Sequence, residues 1–250
     1  MAEPPIRQDF AARLRAVTQA RIALGRAGQA LPTSALLDFQ LAHARARDAV
    51  GAAFDPSGFS AAIGGRAVIE VESRAPDHAT YLQRPDLGRR LAAADTGKLT
   101  ATGDEVAFIV GDGLSATAVG AHAAPLLQAL FDRLPGWRIA PVILARRARV
   151  ALGDEIGALL DVDLVVMLIG ERPGLSAPDS LGAYLTWQPQ PGRLDSERNC
   201  VSNIRPPHGL SYAQAADGIA WLMTEARSRR LTGVALKDES EMKELDQRLL

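Results

Sequence analysis

The residues best suited to chemistry stand where an apolar run stops. Asp163-Leu-Val-Val-Met-Leu-Ile-Gly170 is followed at once by Glu171-Arg-Pro-Gly174, so an acid and an arginine meet the end of a continuous hydrophobic segment. Such a run reads as a strand covered on both faces, as in a parallel sheet. Ligands of open α/β sheets sit outside the carboxyl ends of the strands, and Pro173 with Gly174 restrains the backbone there, so this edge can bind. An ordinary solvated strand exit has the same pattern. A second candidate is Gly111-Asp-Gly-Leu-Ser-Ala116, which follows a strand, opens a helix and matches the glycine-x-glycine-x-x-alanine form of a dinucleotide loop. The acid that would hold a ribose is missing from the next strand, which runs into Ala145-Arg146-Arg147, while Asp132 falls within the helix. A nicotinamide-dependent oxidoreductase using the Gly111 loop is therefore one alternative, and a tight strand-helix turn is another.

Two further clusters carry polar groups. Glu197-Arg-Asn-Cys-Val-Ser-Asn-Ile-Arg-Pro206 surrounds the only cysteine. A nucleophilic thiol needs a histidine base, and none of His43, His78, His122 and His208 has such a context, so Cys200 reads as a small buried thiol in a packed turn. No pair of His or Cys has metal-ligand spacing. In Arg84-Pro-Asp-Leu-Gly-Arg-Arg90, Asp86 reads as a first-turn acid facing a helix dipole, and Arg84, Arg89 and Arg90 suit a subunit interface.

The elements that must position these groups alternate along the middle of the chain. Strands over Ala67 to Ser73, Glu105 to Val110, Trp137 to Leu144, Asp163 to Gly170 and Gly182 to Trp187 are separated by helices at Ala116 to Leu134 and Gly153 to Leu160. A further helix spans Tyr212 to Arg230. This order predicts an α/β fold, a Rossmann-like, mostly parallel sheet with flanking helices. Ahead of it, Asp9 to Val50 predicts two helices joined at Gly25 to Gly28, the second with Leu37, Leu41 and Ala44 on one stripe. The division expected is a helical segment at 1–66, a sheet domain at 67–236 and a charged tail at 237–250.

Composition narrows the partners. The chain has 250 residues, 47% of them hydrophobic, and 28 basic against 29 acidic residues leave a net charge of -1. That balance provides no bulk attraction to nucleic acid or to a membrane. No apolar run approaches the ~20 residues of a membrane span, and the N-terminus lacks a secretion-signal layout. One cysteine excludes an internal disulfide, which fits a cytoplasmic protein.

Five segments resemble, in order and spacing, the small subunit of ethanolamine ammonia-lyase. They are Ala20-Arg-Ile-Ala-Leu-Gly-Arg-Ala-Gly28, Arg84 to Arg90, Asp112-Gly-Leu-Ser115, Gly170 to Gly174, and Arg198-Asn-Cys-Val-Ser-Asn-Ile204. The resemblance spans about Arg21 to Lys237. It implies a subunit of an adenosylcobalamin-dependent lyase that converts ethanolamine to acetaldehyde and ammonia, with substrate and catalytic groups in a large barrel subunit. The family pattern is a trimer of heterotetramers, with the 1–66 segment packing on the large subunit. The family's cobalamin contacts fall on Val150, Glu171 and Cys200. Proximity to the same sheet edge adds Asp112, Gly113, Ser115 and Arg149. No Asp-x-His-x-x-Gly occurs, so the cofactor is expected base-on. Some relatives carry an N-terminal segment thought to direct packaging into a bacterial microcompartment. This chain begins almost at the first shared helix, so packaging is not expected.

Overall fold

The computed structural model describes residues 5–237. The charged tail expected at 237–250 lies outside them apart from Lys237. Six strands form one sheet: β1 (Val68–Glu72), β2 (Val106–Gly111), β3 (Val142–Arg146), β4 (Leu164–Gly170), β5 (Leu181–Trp187) and β6 (Asn199–Ile204). Their spatial order is β1-β3-β2-β4-β5-β6. The first four strands pair in parallel, whereas β5 and β6 add antiparallel. The helices are α1 (Pro5–Val17), α2 (Thr33–Gly51), α3 (Phe59–Ala62), α4 (His78–Gln83), α5 (Ala116–Phe131), α6 (Leu152–Leu160) and α7 (Tyr212–Arg229).

Strands β2 and β4 are buried along their whole lengths, as their unbroken apolar sequences require. Alternate residues feed two cores. Phe108 and Val110 of β2, with Val166 and Leu168 of β4, pack with α5 and α7 on one face. Ile109, Val165, Met167 and Ile169 pack with α6 on the other. Each fully buried Leu, Ile or Phe contributes roughly 1.5–3 kcal/mol, so these layers dominate the stability of the sheet. Helix α5 starts where Ser115 accepts a hydrogen bond from the Ala118 amide, and α7 starts at a reciprocal Ser211/Gln214 box.

Several expectations shift. The strand expected over Trp137 to Leu144 begins only at Val142; Pro141 removes a ladder donor, and Ile139 makes just an isolated bridge to Val106. Asp86 caps no α-helix. It precedes a single 3-10 turn, Leu87–Arg89, and its carboxylate instead takes both bonds of the Arg84 guanidinium. The segment around Cys200, expected as a packed turn, is the edge strand β6. Helices α1 and α2 form, but the connection between them runs from 18 to 32, longer than the glycine turn alone.

Candidate functional site

The candidate site lies on the α6 face of the sheet, from the carboxyl end of β4 across β5 to the edge strand β6. Helix α6 packs chiefly over β2 and β4 and leaves this face of β5 and β6 more open. Val150, in the loop entering α6, and Tyr184 on β5 are both half-buried against the α6-side core. Tyr184 stands opposite Cys200 in the β5–β6 register, and the two side chains share a hydrogen bond. Cys200 is exposed, so the buried thiol expected from sequence is corrected: an edge strand has no further neighbour to cover it. Its contact with the β5 wall nevertheless pushes the thiol pKa up, the Tyr184 hydroxyl pulls it partly back, and the Glu171 charge adds to the rise.

Glu171 is fixed by its surroundings. Its amide donates to the Ser180 carbonyl at 2.9 Å, continuing the β4 ladder by one residue. Its carboxylate accepts from the Ser180 and Ser202 hydroxyls, each at 2.5 Å, and more distantly from the Asn203 amide at 3.4 Å. The turn beyond it closes through Gly174 and Ala177, whose amides and carbonyls exchange bonds. Val150, Glu171, Tyr184 and Cys200 thus share one face of the sheet, Glu171 just past the carboxyl end of β4 and the Tyr184–Cys200 pair level with Met167 in its middle.

The Gly111 loop behaves differently. Gly113 has φ +60°, and a Cβ there would run into the Gly170 carbonyl oxygen. The Leu114 amide donates to that same carbonyl. The crevice between the ends of β2 and β4, where a doubly wound sheet would take a dinucleotide, is therefore filled by the loop itself. Ser115 is fully buried and donates to the Pro178 carbonyl at 2.9 Å, so a carbonyl occupies the start of α5 where a phosphate would have to sit. The Asp112 carboxylate accepts the Arg147 and Ala148 amides at 2.8 and 3.0 Å and pins the exit of β3. Desolvation raises its pKa against the lowering effect of those amides. The glycines thus serve close packing, and the nicotinamide reading is not favoured. Arg149 also braces: its amide donates to the Gly88 carbonyl and its guanidinium lies 4.3 Å from the Tyr81 ring centre.

One pair not anticipated from the sequence lies beneath the open edge. Arg198 and Asp154 are both buried and form a two-pronged ion pair at 2.5 and 2.7 Å, with Thr186 and the Arg193 carbonyl as further acceptors. The pair ties α6 to the start of β6. Two acids, Asp154 and Glu155, open an otherwise apolar helix, and nothing in their spacing shows which of them is buried and needs a partner.

The chain matches the family model described as "Ethanolamine ammonia-lyase light chain (EutC)" over residues 8–237. It is 53% identical over 243 residues to an ethanolamine ammonia-lyase small subunit of Azotobacter vinelandii, covering 93% of this chain and 90% of that one. Against the small subunit of Bradyrhizobium diazoefficiens the identity is 54% over 248 residues, with 96% and 95% covered. The chain belongs to the ethanolamine ammonia-lyase small-subunit family. It is accordingly a subunit of an ammonia-lyase and has a large-subunit partner. No helix among the described residues is long and apolar enough to cross a membrane.

The five segments that carried the resemblance acquire a spatial sense. Gly88 of the second receives the Arg149 amide beside Val150, Gly113 of the third packs on Gly170 of the fourth, and Ser202 of the fifth holds Glu171. Arg21 of the first reaches the Leu175 carbonyl just past the fourth. These four contacts, at Gly170, Glu171, Leu175 and Arg149, thus lie at or beyond the carboxyl ends of β3 and β4.

Proposed function

We propose that this small subunit, together with its large subunit, holds adenosylcobalamin and presents Val150, Glu171 and Cys200 to it while ethanolamine is converted to acetaldehyde and ammonia. The observation that carries this reading is that these residues, from three separate segments, lie on the same α6-side face of the sheet. The donor set fits the group. Val150 and the Tyr184 ring offer apolar surface for a broad, flat molecule, and Glu171 offers an acceptor to its peripheral amides. Cavities of about 260 and 310 Å³ lie elsewhere, and a corrinoid on this face would be covered by the large subunit.

When bound, the cofactor supplies radical chemistry through homolysis of its cobalt–carbon bond. This chain binds, orients and excludes water; Asp112, Gly113, Ser115 and Arg149 hold the surrounding loops from behind. The cofactor keeps its own base. The one buried histidine, His122, sits on α5 at the opposite core with its Nδ1 against the Tyr212 hydroxyl, and the exposed His43, His78 and His208 lie in α2, at the start of α4 and in the loop before α7. The large subunit covers α2, whose Leu36, Leu37, Phe39 and Leu41 are exposed, and the assembly is a trimer of heterotetramers in the cytoplasm.

Mixing the chain with its large subunit, adenosylcobalamin and ethanolamine should yield acetaldehyde, and the visible spectrum should show retained cobalamin. Full activity and retention without this chain would overturn the reading. Unchanged retention in the Glu171→Ala complex would leave it only a scaffold.

A further inference from the structure

The β5–β6 pairing slips at the point where Glu171 reaches it. Leu181 opposes Ile204 and Ala183 opposes Val201, so Gly182 alone faces both Ser202 and Asn203. Asn203 has φ +61°, the conformation of a bulge residue. Such a bulge frees a backbone amide and re-aims a side chain, and here both freed groups turn to one carboxylate: the Ser202 hydroxyl to Oε1 and the Asn203 amide to Oε2. Ser180, 6% exposed, closes the other side through its hydroxyl. The floor is missing a side chain. A Cβ on Gly182 would stand 2.8 Å from Oε1 and 3.2 Å from the carboxyl carbon of Glu171.

We propose that Gly182, Ser180 and the bulge at Ser202 and Asn203 form a socket that positions the Glu171 carboxylate for the cofactor, so that these are positioning residues for cobalamin affinity. The inference rests on the cofactor-facing reading of Glu171 and adds to it the groups through which that contact is set. Glycine suits 182 because the carboxylate occupies the space of its side chain, and a Cβ there would push the carboxylate out of the socket. Serine suits 180 and 202 because a hydroxyl donates one bond to each Glu171 oxygen, and a carboxylate has further lone pairs to accept another donor.

The test is a set of variants in the complex with the large subunit, titrated with hydroxocobalamin and followed by its visible spectrum. Glu171→Ala should weaken binding about ten-fold, the scale of a lost hydrogen bond to a charged group. Ser202→Ala and Gly182→Ala should weaken it similarly, and either combined with Glu171→Ala should be no worse than Glu171→Ala alone, because all act through one carboxylate. Ser202→Thr should restore affinity. In turnover, KM for adenosylcobalamin should rise while kcat holds. If Glu171→Ala leaves affinity unchanged, the cofactor-facing reading of Glu171 itself fails. If Glu171→Ala weakens binding but Ser202→Ala does not, or if the double variants are additive, the socket proposal alone is overturned. Ser202 lies exposed on an edge strand, so its variants report even if Gly182→Ala does not fold.

Discussion

Cys200 and Arg198, two residues apart on the same segment, face opposite circumstances. Cys200 is exposed on the edge strand, yet partial burial of its thiol raises its pKa and disfavours the thiolate. Only the thiolate attacks an alkylating agent. Iodoacetamide should therefore modify the free subunit more slowly at pH 7.5 than it does an ordinary exposed thiol, with the rate climbing through and above the usual thiol range, as mass spectrometry would follow. The Tyr184 hydroxyl favours the thiolate, so Tyr184→Phe should slow the reaction further. Arg198 is buried with Asp154, and its two bonds compensate two desolvated charges. Arg198→Met leaves the acid alone and should cost about 3–5 kcal/mol in a urea melt. Adding Asp154→Leu should recover most of that loss, because an apolar pair of similar volume needs no compensation.

At the scale of elements, the turn between β2 and α5 acts as a wedge, with Gly113 lying against the end of β4. Gly113→Ala combines a left-handed backbone with a clash against a carbonyl oxygen, and should lower stability by about 3 kcal/mol in chemical denaturation. The same contact explains why this glycine pattern misleads as a nucleotide motif. Close approach of backbones demands glycine whether the neighbouring atoms belong to a phosphate or to the next strand. Strand β6 was illegible for a related reason. Its exposure pattern is that of an edge, with only Ile204 buried, so it lacks the apolar alternation by which a strand is recognised. Its place in the sheet comes from pairing with β5, a contact between segments separated by a long loop.

At the scale of the whole molecule, the exposed apolar residues of α2 mark a surface that the isolated chain leaves uncovered. Leu37 and Leu41 are 57% and 51% exposed on one helical stripe, and an apolar surface of this kind marks an interaction site. Leu37→Glu with Leu41→Glu should leave the melting temperature of the free subunit nearly unchanged. It should reduce co-purification with the large subunit. A normal complex from this variant would place the interface elsewhere.

The sequence by itself determined the family and the parallel half of the sheet. Continuous apolar strands and capped helices are local patterns, and five ordered segments at family spacing are more specific than any one of them. It also marked Glu171, because charge at the end of a buried strand is a one-dimensional signal. Only the tertiary structure decided what each marked residue touches. Asp112, Gly113 and Ser115 turn their polar atoms or their missing side chains to neighbouring loops, whereas Glu171, half-buried and held by Ser180 and Ser202, and the exposed Cys200 lie on the same face of the sheet. That division depends on which strands lie side by side, on the bulge opposite Gly182, and on where α6 stops. Such features arise from contacts between residues far apart in the chain, and no local spacing encodes them.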